Sequence, residues 1–534
     1  MRDDWVRERL PPRAAWPELL HDPAAPERLN CASALLDAQV AAGRGASPCF
    51  IGATETWSYA ETQDRVDRLA AVLRQHNVRP GNRVLLRGPN NPMMLAAWLA
   101  VQKLGAIAVA TMPLLRAAEL RTLLNRAQVS VALCDHRLDS ELNDAALDAP
   151  SLRTILRFGK PCPGSLDAEM AQAEPLRAAA DTRADDIALI AFTSGTTGQP
   201  KGCLHTHRDV LAIAETFSRH VLKPSADDIF CGSAPIAFTF GLGASLIFPL
   251  HVGAATVLTE ISSPQSLAQA IERHRATLCL TAPTAYRALL PEAARLKSLR
   301  RCVSAGEPLP IETSSRFKAE TGLDLIDGIG ATELLHIFIS AADGDIRPGA
   351  TGKPVPGFRA AILDAAGNEL PDNQIGRLAV KGPTGCRYLD DPRQAEYVQN
   401  GWNVTGDAYL RDSDGYYWFQ ARTDDMIVSA GYNISGPEVE EVLLRHPAVA
   451  ECAVVAAPDP ERGSIAKAFV VLAEGVPGDA ALVRALQDFV RAEIAPYKYP
   501  RAVSFVDALP RTQTGKLQRF RLRGIDRMET IPGG

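Results

Sequence analysis

Two stretches of the chain repeat one local plan, and that plan restricts the fold to layered α/β architecture. LAVQKLGAIAVAT at 99–111 and FPLHVGAATVLTE at 248–260 each run from an apolar helical face, through a glycine, into a β-branched strand. A helix feeding directly into a short, wholly apolar strand is half of a βαβ unit, and strands covered on both faces read as such continuous runs. Further runs at 83–87 and 187–192 predict largely parallel sheets dressed with helices, arranged as two related halves. At 534 residues, 46% of them apolar, the chain has material for more than one core, so at least two domains are expected. After Gly376 the texture changes to short strands, RLAVKG at 377–382 and DSDGYYWFQ at 412–420, predicting a small β-rich subdomain with Asp414-Gly415 at a hairpin turn.

Bulk properties exclude several function classes. A net charge of −5 gives no basic excess for neutralising a nucleic-acid backbone. The longest apolar stretch, 93–115, is interrupted by Gln102, Lys103 and Gly105, so it predicts a helix followed by a strand and not a membrane span. The first residues, MRDDWVRERLPPR, lack the apolar core of a secretory signal. Ten cysteines without a C-x-x-C pair suit reduced thiols, which makes a cytoplasmic protein the expectation. His205 and His207 have ligand-like spacing, but carboxylate or cysteine companions are not expected to join them, so no metal site is expected there.

The chemistry is concentrated in TSGTTGQPKG at 193–202, directly after an apolar strand-like run. Glycines allow the backbone to close around an anion; Thr193, Ser194, Thr196 and Thr197 add hydroxyl donors beside Gly195, and Lys201 supplies charge, so the loop suits a polyphosphate. It is not a Walker A sequence, because Lys201 is followed by glycine and the spacing is wrong. Further along lie SAGEPLP at 304–310, DGIGATE at 327–333, TGD at 405–407, ARTDDMIVSAGYNISGPEVE at 421–440 and PRTQTGK at 510–516.

In that order and over nearly the whole chain, these segments resemble the adenylate-forming superfamily of acyl-CoA ligases, stand-alone adenylation domains and luciferases, which activate carboxylic acids with ATP. The resemblance implies an N-terminal domain over 1–421, built from layered α/β subdomains and a small β-rich one and holding nucleotide and acid. It also implies a hinge at 422–426 centred on Asp424, and a mobile smaller α+β domain over 427–534. Lys516 matches the family lysine that aligns the acid with the α-phosphate, an electrostatic role and not a proton transfer. Glu333 matches the Mg²⁺-holding glutamate, and Thr332 would donate its hydroxyl to the α-phosphate. Gly306, Glu307, Asp327, Gly328 and Ile329 would surround adenine, Asp407 would take the ribose hydroxyls, and Arg422 would reach ribose or phosphate. Ile329 stands where many members carry an aromatic residue, so an aliphatic contact replaces base stacking.

Coenzyme A would approach through a tunnel at Ser429, Ala430 and Gly431, with Arg462, Lys498 and Arg501 as candidate cations for its nucleotide end. GIGATELLHIF at 328–338 resembles the benzoate-CoA ligase subgroup, and the block at 84–116 resembles 2-aminobenzoate (anthranilate) CoA ligases. The implied acid pocket is made by Phe238, Thr239, Phe240, Ala305, Gly330 and His336, with Thr239 facing the ortho amine. The substrates expected are ATP, CoA and an aromatic acid, with Mg²⁺ as cofactor. A separate acyl carrier protein is an alternative acceptor, a non-catalytic nucleotide sensor is the alternative of another class, and a monomer or homodimer is expected.

Overall fold

The computed structural model describes residues 2–20, 26–193, 200–260, 263–422, 425, 427–429, 432–459, 462–494, 498–511 and 517–525. Among them the strands form two large sheets and three small ones. The first large sheet has the order Thr154–Phe158, Val131–Asp135, Arg83–Arg87, Ile107–Thr111, Ile187–Thr193, Lys201–Thr206. Its neighbours are parallel until Ile187–Thr193 turns back antiparallel onto Lys201–Thr206. The second has the order Lys353–Pro354, Ile337–Ser340, Leu325–Gly330, Arg301–Ala305, Leu278–Thr281, Ile229–Gly232, Ala255–Val257, Pro48–Ile51, Thr56–Ser58. It is parallel through its centre and antiparallel towards both edges. Each repeated unit serves a different sheet: helix Pro92–Lys103 feeds Ile107–Thr111, and helix Phe248–Val252 feeds Ala255–Val257.

The interrupted apolar stretch resolves as helix then strand, and its polar residues explain themselves. The Asn91 side chain accepts the Met94 N–H at 2.9 Å and Pro92 fills the first turn, a start worth about 1 kcal/mol. Gln102 donates to the Ala188 carbonyl at 2.9 Å, tying this helix to the strand that leads to Thr193. Lys103 is buried between Asp67 and Asp37, and burial pushes the Asp67 carboxyl up while Lys103 opposes it. Deleting that lysine would strand a buried carboxylate, at a cost of about 3–5 kcal/mol. No helix among the described residues is long and apolar enough to cross a membrane. All ten cysteines are free thiols, and only Cys162 is exposed.

The small β-sheet begins earlier than the sequence suggests. Arg359–Leu363 already pairs antiparallel with Ile375–Lys381, which continues to Trp402–Arg411 and Tyr417–Arg422. Its first strand, RAAIL, is as apolar as the buried strands before it, so composition does not mark the transition. The turn at Asp414-Gly415 is a hairpin: Gly415 has φ +83°, and the Asp412 carboxylate accepts the Asp414 and Tyr416 N–H groups at 3.0 and 2.9 Å. The last sheet, Val449–Asp459, Gly463–Leu472 and Ala502–Phe505, packs with helices Gly436–Leu444 and Ala480–Glu493. It has its own core around Val439, Val454, Val470 and Leu486.

Candidate active site

Thr193 and Lys201 are direct cross-strand partners, so residues 194–199 join two antiparallel strands and no helix begins at the loop's end. Ser194, Gly195, Thr196 and Thr197 lie outside the described residues. No helix dipole therefore adds to the positive charge that Lys201 brings to this end of the strand. The Lys201 ammonium donates to the Tyr388 hydroxyl at 2.8 Å, and Tyr388 donates to Glu333 Oε1 at 2.5 Å. Four residues along the same strand, His205 Nε2 lies 2.7 Å from the Thr332 carbonyl and therefore carries the proton. One strand thus touches both members of the Thr332-Glu333 pair, which sits in a single turn of 3-10 helix, Thr332–Leu334.

Behind this array lies a buried polar layer that the sequence reading missed. Asp209 accepts from Arg387, faces His205 Nδ1 at 3.7 Å and caps its own helix through the Thr206 N–H at 2.9 Å. Burial alone would raise the Asp209 carboxyl, but Arg387, His205 and the Thr206 N–H hold it below the ordinary carboxylate range. His207 faces the Cys31 thiol at 3.1 Å, and burial pulls its imidazole down to about 4. The two histidines therefore do have polar companions, Asp209 and Cys31, contributed by a helix and by a segment remote in sequence. Among the described residues no set of three histidine, cysteine or acidic side chains is placed to hold a metal ion.

The residues expected around the nucleotide converge at the carboxyl ends of two neighbouring parallel strands, where ligands of α/β sheets bind. Ala305 and Gly328 are Cα partners, as are Ser304 and Asp327. Gly306 has φ +93°, a conformation a side chain would oppose, and it turns the chain so that Glu307 follows at the sheet's edge. Asp327 keeps part of its surface open, yet the dense packing around it pushes its carboxyl up to about 7 against the pull of the Gly328 N–H. Ile329 is partly buried against the main core. Asp407 and Arg422 face each other across two antiparallel strands and bond at 3.0 Å. The carboxylate proposed for the ribose is thus held by the arginine proposed to reach the same ligand.

His336 is 3% exposed and lies among three phenylalanines. Ring centroids stand at 4.6 Å from Phe248, edge-on, 5.3 Å from Phe217 and 5.5 Å from Phe240. Neither ring nitrogen makes a hydrogen bond of good geometry among the described residues, although the Phe240 backbone lies close enough to favour the protonated ring. Loss of hydration pulls the imidazole down to about 3, with only the Phe240 backbone opposing, so the ring is neutral at every ordinary pH. Gly243 makes this arrangement possible, since a Cβ there would meet the imidazole at 2.5 Å. Gly330 pairs with Ile337 beside it, and Thr239 is buried in the short helix Thr239–Leu242. Phe238 precedes that helix half-buried and makes no ring contact among the described residues, so Phe240, not Phe238, is the aromatic partner of His336. Phe217 and Phe248 went unnoticed because the first reads as the buried face of an amphipathic helix and the second as part of an apolar run, neither distinguishable from ordinary core.

Of the tunnel residues, Ser429 is buried and its hydroxyl accepts from Arg462 Nε at 3.3 Å; Ala430, Gly431, Asp424 and Lys516 lie outside the described residues. Lys498 is held by both oxygens of Glu438, at 2.6 and 2.8 Å, and Arg501 by the Tyr499 hydroxyl at 3.0 Å. The segment leading towards Lys516 reaches the face on which Glu307 lies: Arg511 is 4.0 Å from Glu307 and 2.8 Å from Glu451, which in turn lies 3.6 Å from Arg287.

Residues 37–387 match the family model described as AMP-binding enzyme, and residues 438–516 match the AMP-binding enzyme C-terminal domain. Benzoate–CoA ligase of Thauera aromatica is 37% identical over 508 residues, covering 93% of this chain and 96% of that protein. Among solved structures, the anthranilate CoA ligase AuaEII in complex with anthranoyl-AMP superposes with a TM-score of 0.90 at 34% identity, over 94% of this chain and 98% of the other. A benzoate CoA ligase from Burkholderia xenovorans LB400 gives 0.86 at 34% identity, over 93% and 100%.

Proposed function

Because the chain belongs to the AMP-binding enzyme family, we propose that it is an ATP-dependent aryl-CoA ligase whose acid is anthranilate. In the first half-reaction a carboxylate oxygen bonds to the α-phosphorus of ATP and the bridge to the β-phosphate breaks, releasing pyrophosphate. In the second, the CoA sulfur bonds to the carbonyl of the mixed anhydride, AMP leaves and the thiol proton passes to solvent.

The observation that carries the acid assignment is His336. A neutral imidazole offers one N–H and one lone pair, and leaving either unpaired in a buried site costs about 1–3 kcal/mol. A flat aromatic acid with a polar ortho group answers one of these needs: either a carboxylate oxygen accepts from the N–H or an amine donates to the lone pair, and Phe240 flanks the ring. The likeness to an anthranoyl-AMP complex supports the same acid. Thr239, Phe238, Ala305 and Gly330 are assigned to the remaining wall.

Lys201 and the loop from Thr193 onward take the triphosphate, Thr332 the α-phosphate, Asp407 and Arg422 the ribose, and Gly306, Glu307, Asp327, Gly328 and Ile329 the base. Lys516 neutralises charge between acid and phosphate; as two anions are being joined, a fixed cation there lowers the barrier directly. Glu333 would hold Mg²⁺ that arrives with the nucleotide. A single carboxylate with no cluster of further ligands around it among the described residues fits a cation whose shell is completed by phosphates and water. When bound, that ion disperses phosphate charge. Residues 427–534 swing about 422–426, centred on Asp424, to bring CoA past Ser429, Ala430 and Gly431, and the protein works in the cytoplasm.

The test is AMP release with CoA across substituted benzoates and short fatty acids, with holo carrier protein as a second acceptor. Anthranilate with CoA is expected to give the highest kcat/KM. Preference for a fatty acid over every arene would overturn the pocket reading, and preference for the carrier protein would replace CoA as the acceptor.

A further inference from the structure

Lys201 and Glu333 carry opposite charges, face each other at 3.6 Å and have side chains only 20% and 10% exposed. Two such groups, part-buried with nothing between them, would close to a contact pair near ~2.8 Å. They do not close because the Tyr388 hydroxyl stands between them, accepting from the ammonium at 2.8 Å and committing its single proton to Glu333 Oε1 at 2.5 Å. Among the described residues no hydrogen bond goes to Glu333 Oε2.

Tyr388 has no freedom to leave this position. Its ring is 1% exposed and meets Tyr397 edge-on at 6.0 Å. Its N–H donates to Gln394 Oε1 at 2.8 Å. The flanking residues are zipped to the Lys201–Thr206 strand by Leu204 N–H to the Arg387 carbonyl and Leu389 N–H to the Gly202 carbonyl, both at 2.8 Å. The same strand therefore places both the ammonium and the hydroxyl that restrains it.

We propose that Tyr388 is a positioning residue that keeps the phosphate-loop lysine and the glutamate apart, so that a nucleoside triphosphate with its divalent cation meets two charges that are separate and aimed. With the hydroxyl in place, Lys201 retains two N–H donors for phosphate oxygens and Glu333 retains one oxygen for the cation or its water. Without it the two side chains neutralise each other, and the incoming ligand must first pull them apart. The proposal rests on the ATP-dependent reading above, but its primary measurement is nucleotide binding, which needs no acid and no turnover.

In the full chain, Tyr388→Phe removes only the hydroxyl. Calorimetric titration with ATP and Mg²⁺, without acid, is expected to show affinity weakened about ten- to hundredfold, the range of a hydrogen bond to a charged group. Thioester formation from supplied aryl-adenylate and CoA is expected within twofold of the parent. Tyr59→Phe, which deletes another buried hydroxyl bonded to the Ala254 carbonyl, serves as the control and is expected to leave nucleotide affinity unchanged. In a Lys201→Met background there is no ion pair to collapse, and Tyr388→Phe should cost less than twofold more. Replacing Tyr388 by 4-aminophenylalanine, which keeps a donor and an acceptor, should recover part of the affinity and serves as the reading if the phenylalanine variant does not fold. Unchanged affinity in both Tyr388 variants would overturn the proposal, as would an equal loss in nucleotide binding and in thioester formation. Failure of the ligase reading alone would appear differently, as intact nucleotide binding with no aromatic acid ever consumed.

Discussion

Two series of alternating charge cross this molecule, and they are built on opposite principles. Lys201, Tyr388 and Glu333 sit inside the large α/β body, linked at 2.8 and 2.5 Å through a hydroxyl that water does not reach. Arg287, Glu451, Arg511 and Glu307 join that body to the C-terminal sheet at 3.6, 2.8 and 4.0 Å, with Arg287, Glu451 and Arg511 each about a third exposed. Hydrogen bonds to buried charges contribute about 1.5–3 kcal/mol each, whereas exposed ion pairs contribute about 0–1. The first series is a permanent fixture. The second is weak enough to be broken and remade, as the proposed swing of the C-terminal domain between two half-reactions requires.

The largest effect that would sharpen this contrast comes from the lysine the C-terminal segment carries. Lys516→Ala should slow pyrophosphate exchange by about 10²–10³, the usual loss for one electrostatic stabiliser. Thioester formation from supplied aryl-adenylate should survive within a few-fold. An equal loss in both half-reactions would show that the segment does not leave the cleft between them.

Within the fixed region, Asp407→Asn removes a carboxylate already held by Arg422 and should raise the KM for ATP about tenfold while leaving the KM for the acid unchanged. If both constants moved together, the ribose assignment would fail.

The fixed region should also carry a pH signature. His336 and His207 are neutral when folded, pulled to about 3 and about 4, but protonate once unfolded near 6.5. Between those values the unfolded chain binds more protons, so stability falls as pH drops below 6.5, by at most about 1.4 kcal/mol per unit for each histidine. Denaturant midpoints at pH 7.5 and 5.0 measure this, and His336→Leu should flatten the slope. Asp327, raised to about 7, works in the opposite sense: it costs stability as pH climbs from about 4 to 7, and Asp327→Asn removes that cost.

The smallest expected effect lies at the seam. Glu451→Gln should slow exchange only two- to threefold at low salt, should change nothing at high salt, and should leave the thioester step as fast as before. A tenfold loss that persists in high salt would mean the seam is as permanent as the buried array.

The sequence made one of these regions more legible than the other. Periodicity revealed the helix and strand of 99–111 and 248–260, the Asp414-Gly415 hairpin, and the α/β layers, because each depends on neighbours in the chain. It missed the onset of the small sheet at Arg359, whose apolar first strand resembles a core strand. Motif residues such as Glu333, Asp407 and Arg422 were found because they stand in recognisable strings. Tyr388 and Arg387 were not, since Glu333 and Asp209, their partners, lie 55 and 178 residues away, and Asp209 reads locally as a helix cap beside Thr206. The surroundings of His336 were half legible: Phe240 and His336 were named together, while Phe217 and Phe248 emerge only when helices from different parts of the chain close around the imidazole.

The central claim is that this cleft joins an aromatic carboxylate to AMP before any thiol is involved. Exchange of labelled pyrophosphate into ATP, with anthranilate or benzoate present and CoA withheld, addresses it most directly. Label should enter ATP only when the aromatic acid is added. An exchange rate indifferent to the acid, or label that enters only once CoA is supplied, would contradict the claim.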